Sequence, residues 1–144
     1  MIRIEPDAWQ VMVSHARSTF PNECCGVVFG VTDGDGAKVG RLAVPMENAY
    51  HGGQEDRYEI RNEDLLAADE KARKQGLELV AIFHSHPDCD AYFSATDLKH
   101  SCPWYSFVVL SIKNGEFDHA NSYLPNADQT AADKEELVYS NNNG

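Results

Sequence analysis

The sequence predicts an α/β or α+β fold with a mixed, mostly antiparallel sheet flanked by helices. Three observations predict it. Helical and strand periodicities alternate along the chain, two segments carry hairpin turns, and the stretch Leu77–Phe83 is apolar almost throughout. With 144 residues the chain has the length of one domain, since domains cluster at roughly 100–150 residues. Residues 1–140 are read as that domain and 141–144 as a disordered tail, because Asn141-Asn142-Asn143-Gly144 has nothing to bury.

The elements follow in order. Residues 6–19 form a first helix: Pro6 suits a first turn, and Trp9, Met12, Val13 and Ala16 share one face. Pro21 stops it. The small, β-branched run 24–31 is a buried strand, and Asp33-Gly34-Asp35-Gly36 turns the chain into a second strand over 39–44. Residues 45–57 read as loop, followed by a short strand around Tyr58-Glu59-Ile60. Asn62 is the expected N-cap of a second helix, with Leu65, Ala68 and Ala72 on its buried stripe and Gly76 past its end. Leu77–Phe83 is the central strand, and Ser94 caps a short third helix. Strands over 107–112 and 117–123 flank Asn114-Gly115, a strong hairpin signal. A last helix is expected over 130–139.

Composition excludes several function classes. Twelve basic residues stand against 23 acidic ones, a formal charge of −11. Binding to nucleic acid or to an anionic lipid surface needs the opposite excess. Apolar runs fall far short of the ~20 residues of a spanning helix, and the first residues lack a signal-peptide pattern. A cytoplasmic location is expected. Cys24 and Cys25 are adjacent, Cys89 and Cys102 are distant, and no C-x-x-C occurs, so neither a disulfide framework nor a cysteine-rich zinc knuckle is expected.

The chemistry concentrates in His84-Ser85-His86-Pro87 and Ser94-Ala95-Thr96-Asp97. Residues i and i+2 of a strand face the same way, so both imidazoles can converge on one ion. Asp97 follows His86 by eleven residues, and a loop of that length can fold its carboxylate back to the histidines. Two histidines and one carboxylate leave a fourth place for water, the open coordination of a catalytic zinc. Each piece also has a plainer reading. Strand histidines are often satisfied core residues, and Ser94-x-x-Asp97 is a capping box. Glu23, just before a buried strand, is either a solvated turn residue or a general base that takes a proton from water and returns it to a leaving amine. His15, His51, His100 and His119 show no ligand spacing and receive no role.

Taken together, Glu23, His84-x-His86-Pro87, six residues, then Ser94-x-x-Asp97 resembles the JAMM (MPN-plus, or JAB/MPN) zinc metalloproteases, of the compact stand-alone prokaryotic type. The resemblance spans about residues 1–125. Pro21-Asn22-Glu23-Cys24-Cys25-Gly26 resembles bacterial members, and Pro45-x-x-Asn48 and the Tyr58 region match more loosely. It implies a cytidine-deaminase-like architecture and one Zn²⁺ per chain held by His84, His86 and Asp97. Glu23 would be the general acid/base, and Ser94 a hydrogen-bond donor to the oxyanion. It further implies hydrolysis of the amide bond after the C-terminal Gly-Gly of a small ubiquitin-like sulfur-carrier protein. Tyr92 and Phe93 would border the groove for that tail or simply pack. Phe93 stands where many relatives have proline, and Cys89 shares the loop. The rivals are a non-catalytic MPN-type scaffold and a thiol hydrolase using Cys24 or Cys25. A nucleobase deaminase would need H-x-E and P-C-x-x-C, which are absent.

Overall fold

The computed structural model describes residues 1–140; the expected disordered tail 141–144 lies outside them. The chain runs β1 (Ile2–Ile4), α1 (Pro6–Thr19), β2 (Cys25–Thr32), β3 (Lys38–Met46), α2 (Asn62–Lys74), β4 (Glu78–Pro87), α3 (Ala95–Lys99), β5 (Ser106–Lys113), β6 (Glu116–Pro125), β7 (Ala132–Glu135) and β8 (Leu137–Tyr139). The strands form one mixed sheet in the order β7-β6-β5-β4-β2-β3-β1-β8. The β2–β3, β2–β4, β5–β6 and β6–β7 pairs are antiparallel, while β4–β5, β1–β3 and β1–β8 are parallel.

Each face of the sheet carries a helix. Ala8, Trp9, Met12 and Ala16 of α1 pack on Val28, Ala43, Phe83, Val108 and Leu110. On the opposite face, Ala68 and Ala72 of α2 pack on Val27, Phe29, Ile82 and Phe107. Alternation along β4 then decides the site. Phe83 faces α1 and Ile82 faces α2, so His84 and His86 fall on the α2 side and Ser85 on the α1 side. Gly26 is required opposite Phe83, where a Cβ would stand 2.4 Å from the ring.

The structure departs from the sequence reading at four places. A short strand, β1, precedes α1. Residues 58–60 form no strand, and α2 is N-capped by Arg61 without a side-chain cap bond, not by Asn62. β4 continues through His84 and His86 to Pro87, because β5 pairs with it in parallel as far as Pro87↔Ile112. The expected helix over 130–139 is instead β7 and β8. Its composition suits a helix, yet Ser122–Pro125 of β6 and Ile2–Ile4 of β1 offer unpaired edges, and these two short strands fill them. Only Glu136 separates β7 from β8, so the opposite ends of the sheet curl to within one residue of each other. Tyr139 closes the curl by stacking on Trp9 of α1, with centroids 4.1 Å apart and planes at 18°.

Candidate metal centre

His84 and His86 lie at the buried end of β4, where both pair with β5 and His84 also pairs with Cys25 of β2. Two aromatic rings pack on the imidazoles. Tyr58 stacks on His84 at 4.5 Å and 22°, and Tyr92 meets His86 edge-on at 4.9 Å. The 86–97 loop brings Asp97 onto them as the third residue of α3. Both halves of the capping box form: Ser94 Oγ accepts from Asp97 N–H at 2.9 Å, and Asp97 Oδ2 accepts from Ser94 N–H at 3.0 Å. The cap and the cluster are therefore not alternatives, because the same Oδ2 lies 3.2 Å from His84 Nε2 and 3.2 Å from His86 Nε2.

The two Nε2 atoms are also 3.2 Å apart. Ligands at ~2.0–2.1 Å from one tetrahedral centre lie about 3.3 Å from each other, so the trio has the spacing of a zinc face. Proton counting supports the same fit. His86 Nδ1 donates to the Asp90 carbonyl at 3.0 Å, which leaves a lone pair at Nε2 of the neutral ring. Burial lowers the pKa of His84 against the pull of Asp97, favouring its neutral form too. At most one proton then serves three contacts, and lone pairs face each other unless a cation lies among them. Burial would raise the Asp97 carboxyl, but the imidazoles and Ser94 N–H hold it well below the usual carboxylate range. Among the described residues, this is the one group of three or more His, Cys, Asp or Glu whose ligand atoms converge within 4.8 Å. Cys89 does not join it.

Glu23 reaches the site by extension of the β2–β4 ladder. Cys25 pairs with His84, and Cys24 N–H donates to Ser85 Oγ at 2.8 Å, which continues the register toward Glu23 beside His86. The loop between β3 and α2 clasps the Glu23 backbone. Its N–H donates to Gln54 O at 2.6 Å, and its carbonyl accepts from Asn48 Nδ2 at 3.2 Å. Asn48 also donates to Arg57 O and accepts from the N–H groups of Tyr50 and Glu59, so this one amide organises the loop. Glu23 as a whole is 4% exposed, and its Oε1 is buried without a hydrogen-bond partner. Burial first, then Asp97 and Asp56, push its pKa up to about 9. A buried, unpartnered carboxyl oxygen is costly unless something at the site uses it. Glu23, His86 and Ser94 together line a cleft of about 200 Å³, along with Arg57, Cys89 and Tyr92.

The sequence-predicted residues thus come together: His84, His86 and Asp97 as a trio, with Glu23 and Ser94 on the adjoining cleft. Tyr92 borders that cleft and is 53% exposed, whereas Phe93 packs against Phe107 and Tyr123. Cys25 shares the face of His84 but points to the Met46 and Glu47 carbonyls, and burial pushes the Cys24 and Cys25 thiols up to about 12. Both thiols are buried, the setting of inert rather than reactive cysteines. Sequence reading missed the stacking of Tyr58 and the clasp by Asn48 and Gln54. The Pro45-x-x-Asn48 spacing was the available signal for the clasp.

Residues 5–123 match the model of a family described as prokaryotic homologs of the JAB domain. The chain is similar to a desampylase of Haloferax volcanii, with 32% identity over 117 residues covering 76% of this chain and 80% of that protein. It is similar to the CysO-cysteine peptidase of Mycobacterium tuberculosis, with 30% identity over 121 residues covering 83% and 80%. A solution structure of a protein from Desulfitobacterium hafniense superposes with a TM-score of 0.83 at 28% identity, covering 97% of this chain and 93% of that one. A JAB1/MPN domain protein from Archaeoglobus fulgidus shares the fold, with a TM-score of 0.62 at 14% identity and coverages of 95% and 97%.

Proposed function

Since the chain belongs to the prokaryotic JAB-domain family, whose named relatives include a desampylase and a peptidase, we propose that it is a zinc-dependent JAMM-type isopeptidase. Residues 1–140 act as one catalytic domain, and the substrate is a small ubiquitin-like sulfur-carrier protein, cut after its C-terminal Gly-Gly. The observation that carries this reading is the 3.2 Å convergence of His84, His86 and Asp97 beside the unpartnered oxygen of Glu23.

His84 Nε2, His86 Nε2 and Asp97 Oδ2 would hold one Zn²⁺ per chain. Bound there, zinc supplies Lewis acidity, acidifying water and polarising a carbonyl. With a divalent cation held beside it, Glu23 would be ionised despite its burial and free to accept a proton. Glu23 takes that proton from the attacking water and delivers it to the departing amine. Ser94 Oγ already accepts from Asp97 N–H, so its own hydroxyl proton is available to the oxyanion. An extended Gly-Gly tail carries no side chains, and main-chain hydrogen bonds beside the cleft suffice to hold it.

The test is incubation of the zinc-loaded chain with carrier proteins bearing a C-terminal adduct, read by mass. Cleavage after the second glycine is expected. Glu23→Gln should keep its zinc yet cut at least ~10²-fold more slowly, the usual worth of a general base. A non-catalytic scaffold would leave every adduct intact while still binding the carrier.

A further inference from the structure

The strands beside β4 carry a hydrogen-bond chain that ends on His86. His86 Nδ1 donates to the Asp90 carbonyl at 3.0 Å, and the N–H of the same peptide group, that of Ala91, donates to His119 Nε2 at 3.0 Å. His119 Nδ1 in turn donates to Asp118 Oδ2 at 2.6 Å. The partners fix the tautomer. A backbone N–H can only donate, so His119 carries its proton on Nδ1, where a carboxylate accepts it. The result is a continuous series: carboxylate, imidazole, peptide group, imidazole.

Topology explains why these groups meet. His86 pairs with Ser111 on β5, and Ser111 pairs with His119 on β6, so the three side chains follow one another across one face. The loop after β4 is laid over that face. Asp88 N–H donates to Ile112 O, and Lys113 Nζ sits 2.6 Å from Asp90 Oδ1. Asn121 Nδ2 and Tyr123 OH both donate to the Ala91 carbonyl. Of these contacts, the bond to His119 is the one made by the peptide group that His86 addresses.

We propose that His119, backed by Asp118, is a positioning residue for the metal centre, orienting His86 through the Asp90–Ala91 peptide group. The proposal rests on the reading of His84, His86 and Asp97 as metal holders. An acceptor on Ala91 N–H polarises the peptide and strengthens its carbonyl as an acceptor for His86 Nδ1–H. Partners that fix a ligand histidine in this way typically govern metal affinity by ~10–100-fold.

The experiment measures zinc affinity by competition with a chromogenic chelator, with the melting temperature of each metal-free variant recorded beside it. His119→Ala should weaken zinc binding ~10–100-fold. His119→Gln keeps an acceptor for Ala91 N–H and should recover affinity to within roughly fivefold of wild type. Asn121→Ala leaves Tyr123 on the same carbonyl and should stay within about twofold. The double variant Asn121→Ala/Tyr123→Phe strips both donors from the Ala91 carbonyl; a mere loop staple would make it as damaging as His119→Ala, and that outcome overturns the proposal, as does unchanged affinity in His119→Ala. Should His119→Ala fail to fold, the surface change Asp118→Asn decides, with a loss of about threefold expected and none contradicting it. A folded wild type that binds no zinc sinks the underlying metal reading instead, whereas a binding wild type with an unaffected His119→Ala sinks this proposal alone.

Discussion

Glu23 carries a pH dependence whose sign follows from its burial. Its pKa of about 9 in the metal-free folded chain exceeds its ordinary value of 4.5, so the folded state holds a proton that the unfolded state has lost. The associated stability is complete below about 4.5 and is lost as pH rises through about 9. Metal-free wild type should therefore melt lower as pH climbs from 5 to 9, while Glu23→Gln should show a flatter profile. At pH 8.5 the metal-free variant should melt at least ~3 °C higher, a shift of about 1 kcal/mol for a domain of this size. Zinc loading should shrink that gap, because the cation compensates the carboxylate. The convergence of His84, His86 and Asp97 was legible in the sequence because metal chemistry restricts residue type and spacing: two histidines at i, i+2 and an aspartate eleven residues on. Tyr58 and His119 were not, since their partners are remote in sequence and belong to other strands and loops.

At the scale of elements, local rules succeeded where the local signal was unopposed. Asn114 and Gly115 both take positive φ, 54° and 83°, as a tight hairpin between β5 and β6 demands. The capping box at Ser94 and Asp97 formed as its four-residue spacing predicts. The C-terminal segment failed because two open sheet edges outweighed its helical composition. That account makes Tyr139 a closing residue, stacked on buried Trp9 and meeting Phe117 edge-on. Tyr139→Ala should lower the melting temperature by roughly 5–10 °C, reflecting ~1.5–3 kcal/mol of lost burial and ring pairing. Leu42→Ala, exposed at 40% on β3, is the control and should change it by less than ~2 °C. The strand β4 shows the same competition from the other side: pairing with β5 carries it past Phe83, which buries both histidines in regular structure. A donor pair on a central strand is held more rigidly than one on a loop, which favours a preset coordination geometry.

Across the whole molecule, the curled sheet separates two tasks. Its α1 face is an apolar core, and its α2 face ends in the cluster of His84, His86 and Asp97 with Glu23 alongside. No helix among the described residues is long and apolar enough to cross a membrane. The overall charge of −11 gives no long-range attraction to an acidic partner. All of this depends on a cation joining three side chains drawn from β4 and α3. Elemental analysis of the dialysed protein tests it most directly. One zinc per wild-type chain, falling to none in Asp97→Ala with its circular dichroism unchanged, is the predicted result. A fully folded wild type without zinc, or an Asp97→Ala variant that retains it in full, would contradict the account.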